Sequence, residues 1–149
     1  MAEGASGDFE ARIRASFARQ KIMETLRVSI SRLSLGEIEL LMPFTPDFTQ
    51  QHGFVHAGTI ATVLDNACGY AAFTTMQPGS AVLTVEFKAN FLAPAKGESF
   101  RFVGKTVKAG RVITVCDAQA FSRTGSDEKL IATMTATLMA VAGREGIEH

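Results

Sequence analysis

Within the stretch "HAGTIATVLDNACGYAAF", His56 to Phe73, one residue stands apart. Asp65 is a carboxylate in the middle of a helix-length apolar run, and Thr62, Cys68 and Gly69 offer it no opposite charge. Burying such a group is expensive unless it is paired or its charge has a use. The uses open to it are those of a nucleophile or a general base, and the structural alternative is a hydrogen bond to backbone or to Thr62. His52 and His56, with an acid nearby, invite a metal reading. The pair straddles a loop and a helix start, however, and no third or fourth ligand stands out, so no metal site is expected. Cys68 and Cys116 lack CxxC or zinc spacing and are expected to be reduced core thiols of a cytoplasmic protein.

The elements that must position Asp65 follow from periodicity. Residues 1–8 are small and polar and read as a flexible N-terminus. Phe9, Ile13, Phe17, Ile22, Met23 and Leu26 recur at helical spacing and predict an N-terminal amphipathic helix. Alternation in "VSISRLSLGEIELLMPF", with Gly36 in the middle, predicts a hairpin closed by Pro43 and Pro46. The loop "TPDFTQQHGFV" is longer than a simple turn needs, which favours a functional role. The apolar helix comes next, and its small residues, Gly69 included, suit close approach of another backbone. Four strand-like stretches complete the chain. In "AVLTVEFKANFLAP", Leu83, Val85, Phe87, Ala89 and Phe91 alternate against Thr84, Glu86, Lys88 and Asn90. "SFRFVGKTVK" puts Phe100, Phe102 and Val107 on one side, and residues 143–149 read as a solvated tail. The expectation is a single α+β domain over 9–142, with an antiparallel sheet curled around one enclosed helix.

Bulk properties exclude several classes. The chain has 149 residues, enough for one real core, and its 46% apolar content argues against disorder. Lys plus Arg balance Asp plus Glu at 15 each with no basic cluster, so a nucleic-acid partner is not expected. The N-terminal residues lack an apolar secretory core, and no run is long enough to cross a bilayer.

This element order, together with "QHGFVHAGTIATVLDNACGYAA" and "EFKANFLAPAKG", resembles the hotdog-fold acyl-CoA thioesterases over about residues 28–141. More narrowly it is similar to the phenylacetate-pathway (PaaI-like) branch, in which a His-Gly-Gly element is followed seven residues later by an acid. Here the element is His56-Ala57-Gly58 and the acid is Asp65. The resemblance implies a homodimer, with a homotetramer as the fuller assembly, and an acyl-CoA substrate without metal or other cofactor. The thioester carbonyl would lie over the helix N-terminus of one chain, where N–H groups and the helix dipole stabilise an oxyanion. Ala57 would be the principal donor, with Gly58 beside it. Ala57 and Asp65 are eight residues apart, about 12 Å along a helix. The acid must therefore come from a second chain whose helix runs antiparallel.

The same resemblance assigns Gln50 to orienting the water or thioester, with Gln51 as the neighbour of the same chemistry, and Thr84 to steadying Asp65 or the attacking water. It gives His56 an ordering and capping role. Phe54 is a candidate for the acyl pocket. Lys108 and Arg111, in the turn "KAGR", are the leading candidates for the coenzyme A phosphates, with Lys88, Lys96 and Arg123 behind them. Two other functions use the same fold, a hotdog enoyl-CoA hydratase or dehydratase and a non-catalytic acyl-CoA-binding dimer.

Overall fold

A computed structural model describes residues 2–143 and 146–147, with side chains from Phe9 onward. Met1 and residues 144, 145, 148 and 149 of the expected termini lie outside the described residues. Helices α1 (Ala2–Ala18) and α2 (Lys21–Thr25) lead into the hairpin β1 (Ser29–Ser34) and β2 (Glu37–Pro43). A 3-10 turn (Pro46–Phe48) and a loop precede helix α3 (Ala57–Thr74). Strands β3 (Ser80–Phe91), β4 (Ser99–Ala109), β5 (Ile113–Thr124) and β6 (Asp127–Ala142) follow. The six strands form one antiparallel sheet in the order β1-β2-β4-β5-β6-β3, so the hotdog architecture expected from the sequence is present.

Helix α3 is enclosed because its apolar residues cover most of its circumference. Ile60, Val63, Leu64, Ala67, Cys68 and Ala71 are buried against Phe100, Phe102, Cys116, Ala118, Met134 and Leu138 of the sheet. Each large side chain so buried contributes about 1.5–3 kcal/mol. The helix lies directly on β4, where a methyl on Gly104 would strike the Ala67 carbonyl. Thr106 Oγ1 donates to the Ala71 carbonyl at 3.2 Å, and the Gly36 N–H donates to Thr74 Oγ1 at 2.7 Å. The close approach thus uses Ala67 and Gly104. Gly69, expected to serve it, faces open space, with nothing within 4 Å of where a Cβ would sit.

Three local features depart from simple periodicity. The N-terminal helix is broken at Arg19 and Gln20 and resumes as α2. Its first part packs on α3, with Phe17 edge-on to Tyr70 at 5.4 Å and Ser16 Oγ within 3.0 Å of the Tyr70 hydroxyl. Arg12 reaches the Phe73 and Met76 carbonyls, where a cation suits the C-terminal end of α3. In β4 the register shifts between Thr106 and Lys108, so Val107 is an extra residue, 60% exposed, and does not share the side of Phe100 and Phe102. In β3 the register shifts between Thr84 and Glu86, with Val85 the extra residue.

The β3 shift matters for function. Side chains alternate with period two, and a bulge exchanges the faces beyond it. Thr84 pairs with Leu138 and Phe87 with Ala136, both core-facing positions of β6, whereas Leu83 pairs with Met139. Thr84 therefore joins the helix-facing side with Phe87 and Phe91, and Leu83 does not. The predicted alternation holds from Phe87 onward and fails before the bulge.

Candidate active site

The helix start is organised by His56. As N-cap residue it accepts the Gly58 N–H on Nδ1 at 2.8 Å, while its carbonyl receives the Thr59 and Ile60 N–H groups. That accounts for its expected capping role, and it leaves the ring proton on Nε2 in the neutral form. It also occupies Gly58, which is thus no second donor. The Ala57 N–H has no acceptor among the described residues. Ala57 does not have a positive φ, so its alanine, where the related motif has glycine, costs nothing in backbone strain.

Ala57 opens onto a cleft of about 440 Å³ lined by Gln50, Phe54, Ile60, Phe91 and Ala132 among others. Gln50 is held in the preceding loop by its backbone bonds with Phe54 and Gly53. Its Oε1 accepts the His52 N–H at 2.5 Å and the Phe54 N–H at 3.3 Å. With the carbonyl oxygen engaged on the loop, the amide Nε2 remains as the donor. Gln51 is exposed and does not line the cleft, so Gln50 is the residue placed at the site.

Asp65 stands elsewhere. It lines a separate cleft of about 90 Å³ with Gln20, Asn66, Gly69, Tyr70, Val82 and Thr84. Thr84 Oγ1 donates to Asp65 Oδ1 at 2.8 Å, which is the contact the β3 bulge makes possible. Burial raises the Asp65 pKa above the ordinary aspartate value, and the Thr84 hydrogen bond opposes part of that rise. Burial likewise raises both cysteine thiols, which are free and inert in the core. Among the described residues, no three His, Cys, Asp or Glu side chains gather as a metal would need.

Within one chain the predicted residues therefore fall into two separate clefts. Ala57 and Gln50 share one cleft and Asp65 and Thr84 share another, so the predicted residues are brought together in pairs and not as a set. Phe54 is half-buried in the first cleft and borders a further one of about 290 Å³ with Pro94, Lys96, Ser122 and Lys129. Lys108 and Arg111 sit at the β4–β5 turn and line none of these three clefts. Lys129 escaped the sequence reading, because only the sheet topology brings it beside Lys96. Gln20 escaped it because it comes from the break between α1 and α2 and reaches the cleft through the packing of α1 on α3, whereas Asn66, polar and adjacent to Asp65 in an apolar helix, was a visible signal.

Comparison with known proteins gives a consistent result. The profile of the family described as "Thioesterase superfamily" matches residues 52–129. A provisionally named esterase of Saccharolobus solfataricus is 30% identical over 99 residues, which is 66% of this chain and 70% of that protein. The crystal structure of a thioesterase family protein from Silicibacter pomeroyi is 55% identical with a TM-score of 0.89, covering 91% of this chain and 99% of that one. The PaaI protein of the E. coli phenylacetic acid degradation operon shares the fold at 18% identity, with a TM-score of 0.83 over 93% of this chain and 96% of its own.

Proposed function

Because the chain belongs to the thioesterase superfamily and is a thioester hydrolase, we propose that its substrate is an acyl-CoA and that its active site is shared between two chains. The observation that carries this reading is the separation of the half-sites. An oxyanion cradle without an acid and an acid without a cradle complete each other when two α3 helices lie antiparallel.

The edge strand supports the pairing. β3 ends the sheet, and Leu83, Val85, Phe87 and Phe91 along it are 38–56% exposed. An unpaired apolar edge invites a second strand, and a two-fold axis makes the contact self-complementary. Asp65, held by Thr84 of this strand, would then lie beside the partner's cradle.

In that arrangement the thioester oxygen takes the Ala57 N–H and the Gln50 amide of one chain. Negative charge grows on that oxygen as the carbonyl carbon is attacked, so donors already aimed at it lower the barrier. Asp65 of the other chain acts through Oδ2, since Oδ1 holds the Thr84 proton. As general base it removes a proton from water while the oxygen adds to carbon. The C–S bond then breaks, the proton passes to the departing thiolate, and a carboxylic acid and free coenzyme A result. As nucleophile the same oxygen would form a mixed anhydride that water opens. Lys96 and Lys129, in no ion pair among the described residues, line the neighbouring cleft that shares Phe54 and Pro94 with the first and would meet the coenzyme A phosphates.

Thiol release from a panel of aromatic, short and medium acyl-CoAs tests the reading. Turnover by the parent and its loss in Asp65→Asn support it. Loss of enoyl absorbance without thiol release points to hydration, and retained binding with no turnover in the parent points to a binding dimer.

A further inference from the structure

We infer that the β4–β5 turn, from Val107 to Ile113, docks the protein reversibly on the surface of an anionic lipid bilayer. The turn lies toward the C-terminal end of α3, where Thr106 and Gly36 bond to Ala71 and Thr74, and away from Ala57 at the helix start.

All seven residues from Val107 to Ile113 are exposed, and the turn brings two kinds of side chain to one tip. Val107, Val112 and Ile113 are 45–60% exposed, and Leu35 of the β1–β2 turn is 73% exposed. The two turns are neighbours, since the Gly36 carbonyl accepts the Thr106 N–H at 2.8 Å. Lys108 and Arg111 stand among these apolar groups and form no ion pair among the described residues. Lys105 adds a third cation, in a loose 3.7 Å contact with Glu37. No acid occurs between Glu98 and Asp117. Scattered exposed apolar residues need no explanation, but a group of them set among unpaired cations does.

That combination is complementary to a lipid surface carrying negative charge. Lysine and arginine reach the phosphates while valine and isoleucine enter the boundary beneath the headgroups. The backbone suits such a setting, where polar groups must find partners within the chain. The Val112 carbonyl already accepts the Ala140 N–H at 2.8 Å, and a methyl on Gly110 would strike the Ile113 carbonyl, so the turn is tightly closed. A second copy of the chain fits less well. β4 and β5 are each paired on both sides, so the tip offers no open strand edge. Seven residues also fall short of the roughly 20–30 a side that a stable protein interface uses. With no aromatic anchor among the seven, binding is weak and sensitive to salt.

The experiment is cosedimentation of the full chain with phosphatidylcholine vesicles, with and without phosphatidylglycerol, at low and at physiological salt. The parent is expected to bind only the vesicles with phosphatidylglycerol and to come off as salt rises. Lys108→Gln combined with Arg111→Gln should weaken partitioning about 25-fold, about fivefold for each cation. Val112→Ser combined with Ile113→Ser should weaken it about tenfold, with Tm within about 2 °C of the parent because both side chains are exposed. A parent that ignores phosphatidylglycerol overturns the inference, and so does a charge-removed variant that binds like the parent. If that variant binds vesicles normally but raises KM for an acyl-CoA, the cations serve the coenzyme A phosphates instead. If Val112→Ser with Ile113→Ser changes the oligomeric state without vesicles, the tip is a contact between copies and the inference fails. Should either double variant fail to fold, Lys108→Gln alone decides by the same fivefold criterion. Vesicle binding is read without turnover, so the test holds whether or not the protein hydrolyses an acyl-CoA.

Discussion

Replacing Ala57 with proline removes one hydrogen atom from the proposed cradle and little else. Ala57 is the first residue of α3, where proline is tolerated because no intrahelical bond uses that N–H. His56 has φ −59° and ψ 137°, which is the backbone region a residue before proline prefers. The helix should therefore form unchanged, with Tm within about 2 °C of the parent. Catalysis should not survive so well. Loss of one oxyanion donor costs about 2.7–4 kcal/mol, or roughly 10²–10³ in kcat. The assay is thiol release from an acyl-CoA at saturating concentration. A non-hydrolysable thioether analogue measures binding in parallel, which separates loss of the donor from blockage by the proline ring. Ala57→Gly keeps the N–H and should retain most activity. If Ala57→Pro keeps kcat within about threefold of the parent, Ala57 is not the donor and the cradle is wrongly placed.

Other outcomes follow from the second half-site. Thr84→Val removes the hydrogen bond that lowers the Asp65 pKa, so the acid limb of the kcat/KM profile should move to higher pH; an unmoved limb contradicts the assignment of Asp65 as the titrating group. Asp65→Asn should be inactive yet at least as stable as the parent at pH 7. A folded pKa raised above the unfolded value gives stability that is present below the unfolded pKa and lost as pH rises through the folded one, so the ionised acid disfavours folding at neutrality. Thermal melts of the two at pH 7 check the sign, and a lower Tm for Asp65→Asn contradicts it. Lys96→Ala and Lys129→Ala should each raise KM about threefold for an acyl-CoA, as exposed charge contacts are weak, and leave KM for the matching acyl-pantetheine unchanged. Equal effects on both substrates would place the phosphates elsewhere.

Much of this was legible in the residues. The apolar circumference of α3 demanded an enclosing sheet, and the lone carboxylate within it demanded a use. The spacing of Ala57 and Asp65 already put the two residues too far apart to meet, and they line separate clefts. What the sequence concealed depends on backbone irregularity and topology. Thr84 reads as part of a polar face by simple alternation, and only the bulge at Val85 turns it toward Asp65. Val107 reads as core for the same reason and is exposed by the matching irregularity in β4. The Gly58 N–H looked free until the His56 side chain was seen to take it. Lys96 and Lys129 are thirty-three positions apart and meet only because of how the strands are ordered.

The shared site is open to a direct measurement. Ala57→Pro and Asp65→Asn chains, each nearly inactive as homodimers, are co-expressed with different tags and the mixed dimer is isolated. In the mixed dimer one site combines an intact cradle from the Asp65→Asn chain with an intact acid from the Ala57→Pro chain, and the other site is doubly broken. Activity per dimer should return to about half that of the parent. If the mixed dimer is as inactive as the two homodimers, cradle and acid act within one chain and the account is wrong.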